Sequence, residues 1–546
     1  MEETALCKRH LQSPVSVTCR LYASERRGDE PKRLQLTARG IELHSVVASS
    51  VSSVSDLIPW CWILGASECT RSIRHRFVPV DEADSDLEND REFVVFGCMP
   101  KSEKLSGRGG LLGCLTSLAM AVLPSALTGS TSENAGVDRV LVQWLFKCEA
   151  NDMGGEVATT IVKAIQFFAD PRAGEMTEKL LDGYEDLPLR KFLVVINPAG
   201  GTGDAQQTYE QQVAPVFEQA NIVVETVVTR HAGHATKLMA EVPLNQFDCI
   251  VAVGGDGLLS EMLQGLMQRK NWQQAVPQPL GIIPGGSGNG LSASLLSRAG
   301  EQPTVLNAAY SLVKGHVEDL DLFSATNGNG ADMYGFLSLE WAFVADMDIN
   351  SERYRFFGDL RFFIATALQI FGFGRTNYPG RLRYRAVKNE EPLPETYHDA
   401  FSSTVATAKP ICACLEEEQD SRNAEKWLEM QGSFYMFWGM NTSHAAADAH
   451  IAPTADISDG LFHLMLVSGA RYSRFQLARL MMGIEDGSHL DLDRVQLIRT
   501  RAFTIRASNA NDLICVDGEL FPGPEIKVEV HRGLGRILCL PAKKDK

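Results

Sequence analysis

Three short glycine-rich segments hold the residues best suited to chemistry. The first, Asn197-Pro198-Ala199-Gly200-Gly201-Thr202-Gly203, directly follows the apolar run KFLVVI. The second, Gly254-Gly255-Asp256-Gly257, lies between DCIVAV and LLSEMLQGLMQ. The third, Pro284-Gly285-Gly286-Ser287-Gly288-Asn289-Gly290, lies between LGIIP and LSASLL. Glycine lets a backbone turn tightly and come close to a ligand. At the end of a parallel strand and the start of a helix, such a turn aims amide N–H groups at an anion. No Gly-Lys-Ser/Thr closes the first segment, so it is not a P-loop. One such turn alone is an ordinary strand-to-helix connection. Three at successive strand ends of one sheet point to a phosphate site in the crevice outside those ends. Asp256 stands apart from the glycines. A carboxylate held there can reach both a metal-bound phosphate and a substrate hydroxyl, although an Asp helix cap is the plainer alternative.

These segments need a sheet to carry them. Between residues 190 and 320, the runs KFLVVIN, IVVETVV, DCIVAV and LGIIP are apolar without alternation and are separated by helical stretches. That is the pattern of an open α/β sheet whose parallel strands are buried on both faces. Between residues 321 and 540 the chain turns strand-rich, with RLRYRAV, GSFYMFWGMN, GLFHLMLVS, AFTIRASN and EIKVEVHR. This predicts an antiparallel β-sandwich. Residues 388–431 interrupt it with NEEPLPETYHD and EEEQDSRNAEK, which read as a mobile surface insertion. Residues 1–185 hold short strand-like pieces closed by the helical EVATTIVKAIQFFA, a β-rich regulatory module resembling a pleckstrin-like one. The expected fold class is therefore α/β plus all-β.

The bulk properties set bounds. A chain of 546 residues exceeds the roughly 250–300 that one core supports. A net charge of −16 argues against nucleic acid as a partner and leaves a membrane surface open. The 12 cysteines lack the paired spacing of a zinc site and are too sparse for a disulfide scaffold. Reduced thiols and a cytoplasmic location are expected. The N-terminus MEETALCKRH has no basic region followed by an apolar run, so no signal peptide is expected, and Glu2 excludes N-myristoylation. The apolar stretch from Leu111 to Leu127 is short against the roughly 20 residues of a membrane span. It reads as a flexible insertion with a short apolar helix.

NPAGG, GGDGL and PGGSGNGL, in this order, resemble the catalytic domain shared by diacylglycerol, ceramide and sphingosine kinases. Thr229-Arg230-His231-Ala232-Gly233-His234-Ala235 is similar to that family's T-x-R-x-x-H-A segment, with Arg230 shifted by one place. Within the family, GGDGL with GGSGNGL resembles the sphingosine kinases. So does LSLEWAFVADMDINSERYRFFGDLRF, residues 337–362. The resemblance implies transfer of the ATP γ-phosphate to the primary hydroxyl of sphingosine or a related long-chain base. The alternatives are a ceramide or diacylglycerol kinase, or a lipid-binding scaffold built on a degenerate kinase.

The resemblance also implies roles for residues. Asp256 would be the general base and would contact Mg²⁺. Asn197, Gly200, Gly201, Thr229, Gly255, Gly257 and Glu261 would surround the ATP, with Gly286, Ser287 and Gly288 on its phosphates. Arg355 and Arg361 would reach those phosphates as bidentate donors. Asp517, Gly518 and Glu519 would place the metal or the nucleotide. Asp348 would hold the amino-alcohol head, with Phe343 and His489 on the lipid site. Ala199 and Thr202 stand where relatives carry basic or aromatic residues, so backbone donors, Arg355, Arg361 and Mg²⁺ would compensate. The expected partners are a sphingoid-base lipid, a membrane surface touched peripherally and a second copy of the chain as a homodimer, with no nucleic acid.

Overall fold

The computed structural model describes residues 16–22, 32–37, 39–45, 54–69, 92–101, 136–148, 154–174, 188–201, 203–286, 288–327, 332–351, 360–372, 374–387, 393, 395–401, 427–469 and 471–543. They fall into two compact units. One lies within 1–190, 212–223 and 309–316, and the other within 191–211, 224–308 and 317–546. The apolar stretch around Leu111–Leu127 and most of 388–431 lie outside the described residues.

The first unit is an antiparallel sheet of β1 (Ser16–Tyr22), β2 (Lys32–Thr37), β3 (Gly40–Ser45), β4 (Val54–Pro59), β5 (Ile63–Glu68), β6 (Glu92–Pro100) and β7 (Arg139–Cys148). Its strand order is β4-β3-β2-β1-β7-β6-β5. Helix α1 (Gly154–Ala169) covers one face. Ala158, Ile161, Val162, Ile165 and Phe168 recur at helical spacing and pack against Leu34, Leu36, Phe93, Val95 and Phe146. Seven strands and one helix make this region the β-rich module that its sequence predicts.

In the second unit, β8 (Lys191–Ile196), β9 (Val223–Val228), β10 (Cys249–Gly254) and β11 (Leu280–Pro284) form the α/β part, in the order β11-β10-β8-β9. Strand β10 runs parallel to both β8 and β11, with Val253 opposite Ile196 and Gly254 opposite Pro284. All three strands therefore end level, and the turn after each is brought beside the next. Helices α2 (His234–Glu241), α3 (Asp256–Gln268) and α4 (Gly290–Ala299) follow the turns or pack on the sheet. Leu259, Met262, Leu263 and Leu266 of α3 pack with Leu193, Val195, Ile250 and Ala252 of the strands. Each such buried side chain contributes roughly 1.5–3 kcal/mol.

The remaining strands are β12 (His316–Thr326), β13 (Asp332–Gly335), β14 (Ser338–Ala342), β15 (Tyr378–Ala386), β16 (Trp427–Met440), β17 (Phe462–Ser468), β18 (Val495–Ala507), β19 (Ile514–Val516), β20 (Glu519–Phe521) and β21 (Glu525–Cys539). The ladders among β12 to β20 are antiparallel, and β21 uses both directions. The long strand β21 pairs antiparallel with β18 and parallel with β11. It thereby joins the two halves into one 14-stranded sheet. Helices α5 (Phe343–Ser351), α6 (Leu360–Phe371) and α7 (Arg474–Met482) lie against this part. Its core gathers Trp341, Tyr378, Phe434, Phe437, Phe462 and Phe503.

Among the described residues, Cys69, Cys98, Cys148, Cys249, Cys515 and Cys539 are buried free thiols, and Cys61 is an exposed one. No helix among them is long and apolar enough to cross a membrane.

Candidate active site

The three glycine-rich turns interlock at the ends of β8, β10 and β11. Asn197 continues the β8 ladder by donating its N–H to Val253 O at 3.0 Å, and its Oδ1 accepts from Ala199 N at 3.1 Å. The first turn is therefore braced by its own asparagine. Gly201 sits at φ +55°, where a side chain would strain the backbone. A Cβ there would also lie 2.7 Å from Gly285 O, so the first turn presses on the third. Gly286 presses on the second: a Cβ there would lie 2.4 Å from Gly255 Cα. Gly286 N donates to Asn289 Oδ1 at 2.9 Å, and Asn289 Nδ2 returns a bond to Gly286 O at 2.6 Å. Thr229, at the end of β9, donates its N–H to Ile196 O and so stands beside the first turn. Ser287 and Thr202 lie outside the described residues.

Asp256 begins α3 and is buried among these turns. Its Oδ2 accepts from Gly290 N at 2.7 Å and its Oδ1 from Leu291 N at 3.1 Å, so it caps α4 from outside that helix. Burial pushes its pKa above the usual carboxylate value, while those amides pull the other way. The cap reading and the base reading thus meet in one side chain. Each oxygen spends one lone pair on an amide and keeps another for a proton or a cation. Gly257 follows with open space around it, and Glu261 lies one turn on, its carbonyl accepting from Thr236 Oγ1 at 3.0 Å.

Asp517 and Gly518 have φ of +49° and +80° and link the short strands β19 and β20, where Val516 pairs with Glu519. Two positive φ values filled by Asp-Gly are the chemistry of a type I′ hairpin. The Asp517 carboxylate takes three backbone amides, from Phe336, Leu337 and Ser338, each at 3.0 Å. It therefore clamps the entry to β14. Burial pushes Asp517 up to about 7 against those three bonds, and the charge of Asp256 adds to the rise. That coupling puts the phosphate turns and the hairpin in one neighbourhood. Gly518 lies over the next acid, since a Cβ there would come 3.9 Å from Asp348 Oδ2. Glu519 is exposed beside it.

Asp348 sits on α5, half-buried. Its carboxylate, that of Glu340 on β14 and the Cys515 thiol on β19 approach within 4.8 Å of one another. The sequence did not single out Glu340. The available signal was one ionisable residue inside the apolar strand LSLEWAF. Phe343, the first residue of α5, is wholly buried in the hydrophobic cluster with Trp341 and Phe434. His489 is also buried, and both ring nitrogens face backbone carbonyls: Nδ1 to Gly483 O at 3.1 Å and Nε2 to Ile451 O at 3.0 Å. That geometry ties the ring to the loop backbone. Arg355 lies outside the described residues, as does the side chain of Arg361.

A second unanticipated feature lies behind the third turn. His444 and His450 stack with centroids 4.1 Å apart and planes 11° from parallel. Burial holds His444 down at about 3, with the charge of His450 adding, so it is neutral at physiological pH. His444 N donates to Ser294 Oγ of α4 at 2.9 Å, and Ala446 bridges to Asn289. The pair thus braces the loop that backs the third turn.

Residues 191–325 match the family described as "Diacylglycerol kinase catalytic domain", and residues 427–539 match "YegS C-terminal NAD kinase beta sandwich-like domain". The chain is 30% identical over 356 residues to Sphingosine kinase 1 of Mus musculus, covering 64% of this chain and 91% of that protein. It is 32% identical over 348 residues to Sphingosine kinase 1 of Homo sapiens, covering 62% and 88%. Among solved structures, a diacylglycerol kinase from Bacillus anthracis str. Sterne matches with a TM-score of 0.45 and 18% identity, over 65% of this chain and 99% of that one.

Proposed function

The chain belongs to the sphingosine kinase family, and from that premise we propose that it phosphorylates the primary hydroxyl of sphingosine or a related long-chain base, giving sphingosine 1-phosphate. It is an ATP-dependent phosphotransferase with a lipid substrate. The observation that carries the finer reading is one juxtaposition: Asp256 sits among the interlocked phosphate turns, and its charge reaches the Asp517 hairpin that overlies Asp348.

Phosphoryl transfer needs positioning and charge stabilisation more than covalent chemistry. The turns at Gly200, Gly201, Gly255, Gly286 and Gly288 would take the phosphates. The N-termini of α3 and α4 would add their dipoles. Asp256 would accept the hydroxyl proton, and its burial-raised pKa suits a base working nearer neutral pH. Asp348 would hold the ammonium of the base head group. Mg²⁺ fits the hard oxygen donors present: Asp256, with a lone pair left on each oxygen, and exposed Glu519. When bound, it would neutralise charge on the transferring phosphates. Arg355 and Arg361 remain part of the proposal as phosphate donors.

The test is a radiolabelled-ATP assay on sphingosine, ceramide and diacylglycerol in parallel. Product from sphingosine alone is expected. Product from a neutral lipid instead would overturn the head-group role of Asp348 and leave the phosphotransfer intact.

A further inference from the structure

Strand β14 alternates its faces: Leu339 and Trp341 enter the hydrophobic core, while Ser338 and Glu340 share the other face. Glu340 is only 7% exposed. Its Oε1 accepts from Ser338 Oγ at 3.1 Å, whereas its Oε2, equally buried, makes no hydrogen bond. A buried carboxylate oxygen without a partner costs on the order of 1–3 kcal/mol or more. The Trp438 indole N–H, itself without a hydrogen bond of ordinary length, is turned toward this carboxyl, but it brings no positive charge, so a carboxylate so placed still lacks a cation.

The groups facing it are nearly all acidic or neutral. Asp348 approaches from α5 and Cys515 from β19, with all three ligand atoms within 4.8 Å. Asp517, at the hairpin after β19, adds a third negative charge nearby. The Trp438 indole of β16, opposite Glu340 across the strand pair, is a donor that offsets part of this field. Glu519 of β20 adds to the negative field at Cys515. The field has two consequences. Burial and the Asp348 charge push Glu340 well above the usual glutamate range. Burial, with Glu340 and Asp348 adding, pushes the Cys515 thiol far up, so it stays an S–H. A soft divalent metal would need the thiolate. A monovalent ammonium needs only the carboxylates.

We propose that Glu340 is a specificity-determining residue that, with Asp348, forms a two-carboxylate seat for the protonated amine of the long-chain base. This rests on the reading that Asp348 takes the lipid head group. The amine binds by displacing the proton that the crowded Glu340 otherwise keeps: the ammonium enters, one proton leaves to solvent, and the charge balances. A neutral amide-linked head has no charge with which to displace that proton, so the seat favours a free amine over its acylated form.

The test uses the full chain, with KM for sphingosine measured at pH 6, 7 and 8.5 for wild type, Glu340→Gln and Asp348→Asn. Taking each variant's KM relative to wild type at the same pH cancels the titration of the amine and its aggregates. Glutamine mimics the protonated acid and cannot release a proton. The Glu340→Gln ratio should therefore stay near one at pH 6 and climb to roughly tenfold at pH 8.5, the weight of one charged hydrogen bond. Its kcat should stay within about twofold, because the amine is held alike in ground and transition states. Glu340→Ala, which cannot carry the charge at any pH, should repeat the rise if the glutamine variant folds poorly. Asp348→Asn should raise KM at every pH. A flat Glu340→Gln ratio beside a raised Asp348→Asn KM overturns the present inference alone. So does a loss confined to kcat or thermal stability, which would mark a purely structural glutamate. An unchanged Asp348→Asn KM overturns the underlying head-group reading instead.

Discussion

Each oxygen of Asp256 accepts one amide hydrogen, so the side chain cannot be altered without disturbing the helix it caps. Asparagine keeps one acceptor and turns its NH₂ toward the other amide. Asp256→Asn should therefore lose about 1 kcal/mol of stability, the usual worth of a cap, or about 2–4 °C in Tm. Turnover should fall at least 100-fold, since positioned bases contribute about 10²–10⁴. Calorimetric ATP binding should persist. Near-normal kcat in a folded variant would leave Asp256 as a cap only. Residues of this kind were legible because glycines bracket Asp256 at a strand end. Glu340 was not legible: one acid in an apolar strand leaves no spacing to read, and its meaning comes from α5 and β19 folding over it. Asp517 was readable in part. The sequence suggested a nucleotide or metal role, while its three amide partners lie some 180 residues away in the chain, where no local pattern registers them.

At the scale of elements, the site is a set of backbone contacts between turns. Gly286→Ala tests this directly, because the new Cβ would lie 2.4 Å from Gly255 Cα and the second and third turns must separate. The KM for ATP should rise at least tenfold, since misplacement by about 1 Å costs on that order or more. The KM for sphingosine should change little. An unchanged ATP KM would mean that this contact does not shape the phosphate site. The strands and turns of the α/β part were legible because each local signal agrees with its neighbour: unbroken apolar runs, then glycine, then a helix. The bracing behind the third turn was not legible. The stacked His444–His450 pair and the carbonyl-bound His489 depend on loops between distant strands.

For the whole molecule, the expectation of peripheral membrane contact can be tested on exposed apolar side chains of α6 and α7. Phe371 is 72% exposed and Phe475 78%, with Leu368 and Met482 also exposed nearby in sequence. Arg474 ties the two helices by donating to the carbonyls of Gln369, Ile370 and Gly374. We predict that a Phe371→Ser/Phe475→Ser double variant partitions onto neutral vesicles at least tenfold less in a sedimentation assay, while activity on detergent-dispersed sphingosine holds. Equal partitioning would remove this face from membrane contact. The fold at this scale was legible as a sequence of parts, but the parallel pairing of β21 with β11 was not. That pairing bears on how the protein is made. On the ribosome, β11 and the phosphate turn after it emerge long before β21, so their sheet edge stays open through most of the later synthesis. A nascent chain in that state presents an unpaired edge to which other strands can add. Premature release before residue 525 should yield aggregate rather than a smaller working kinase.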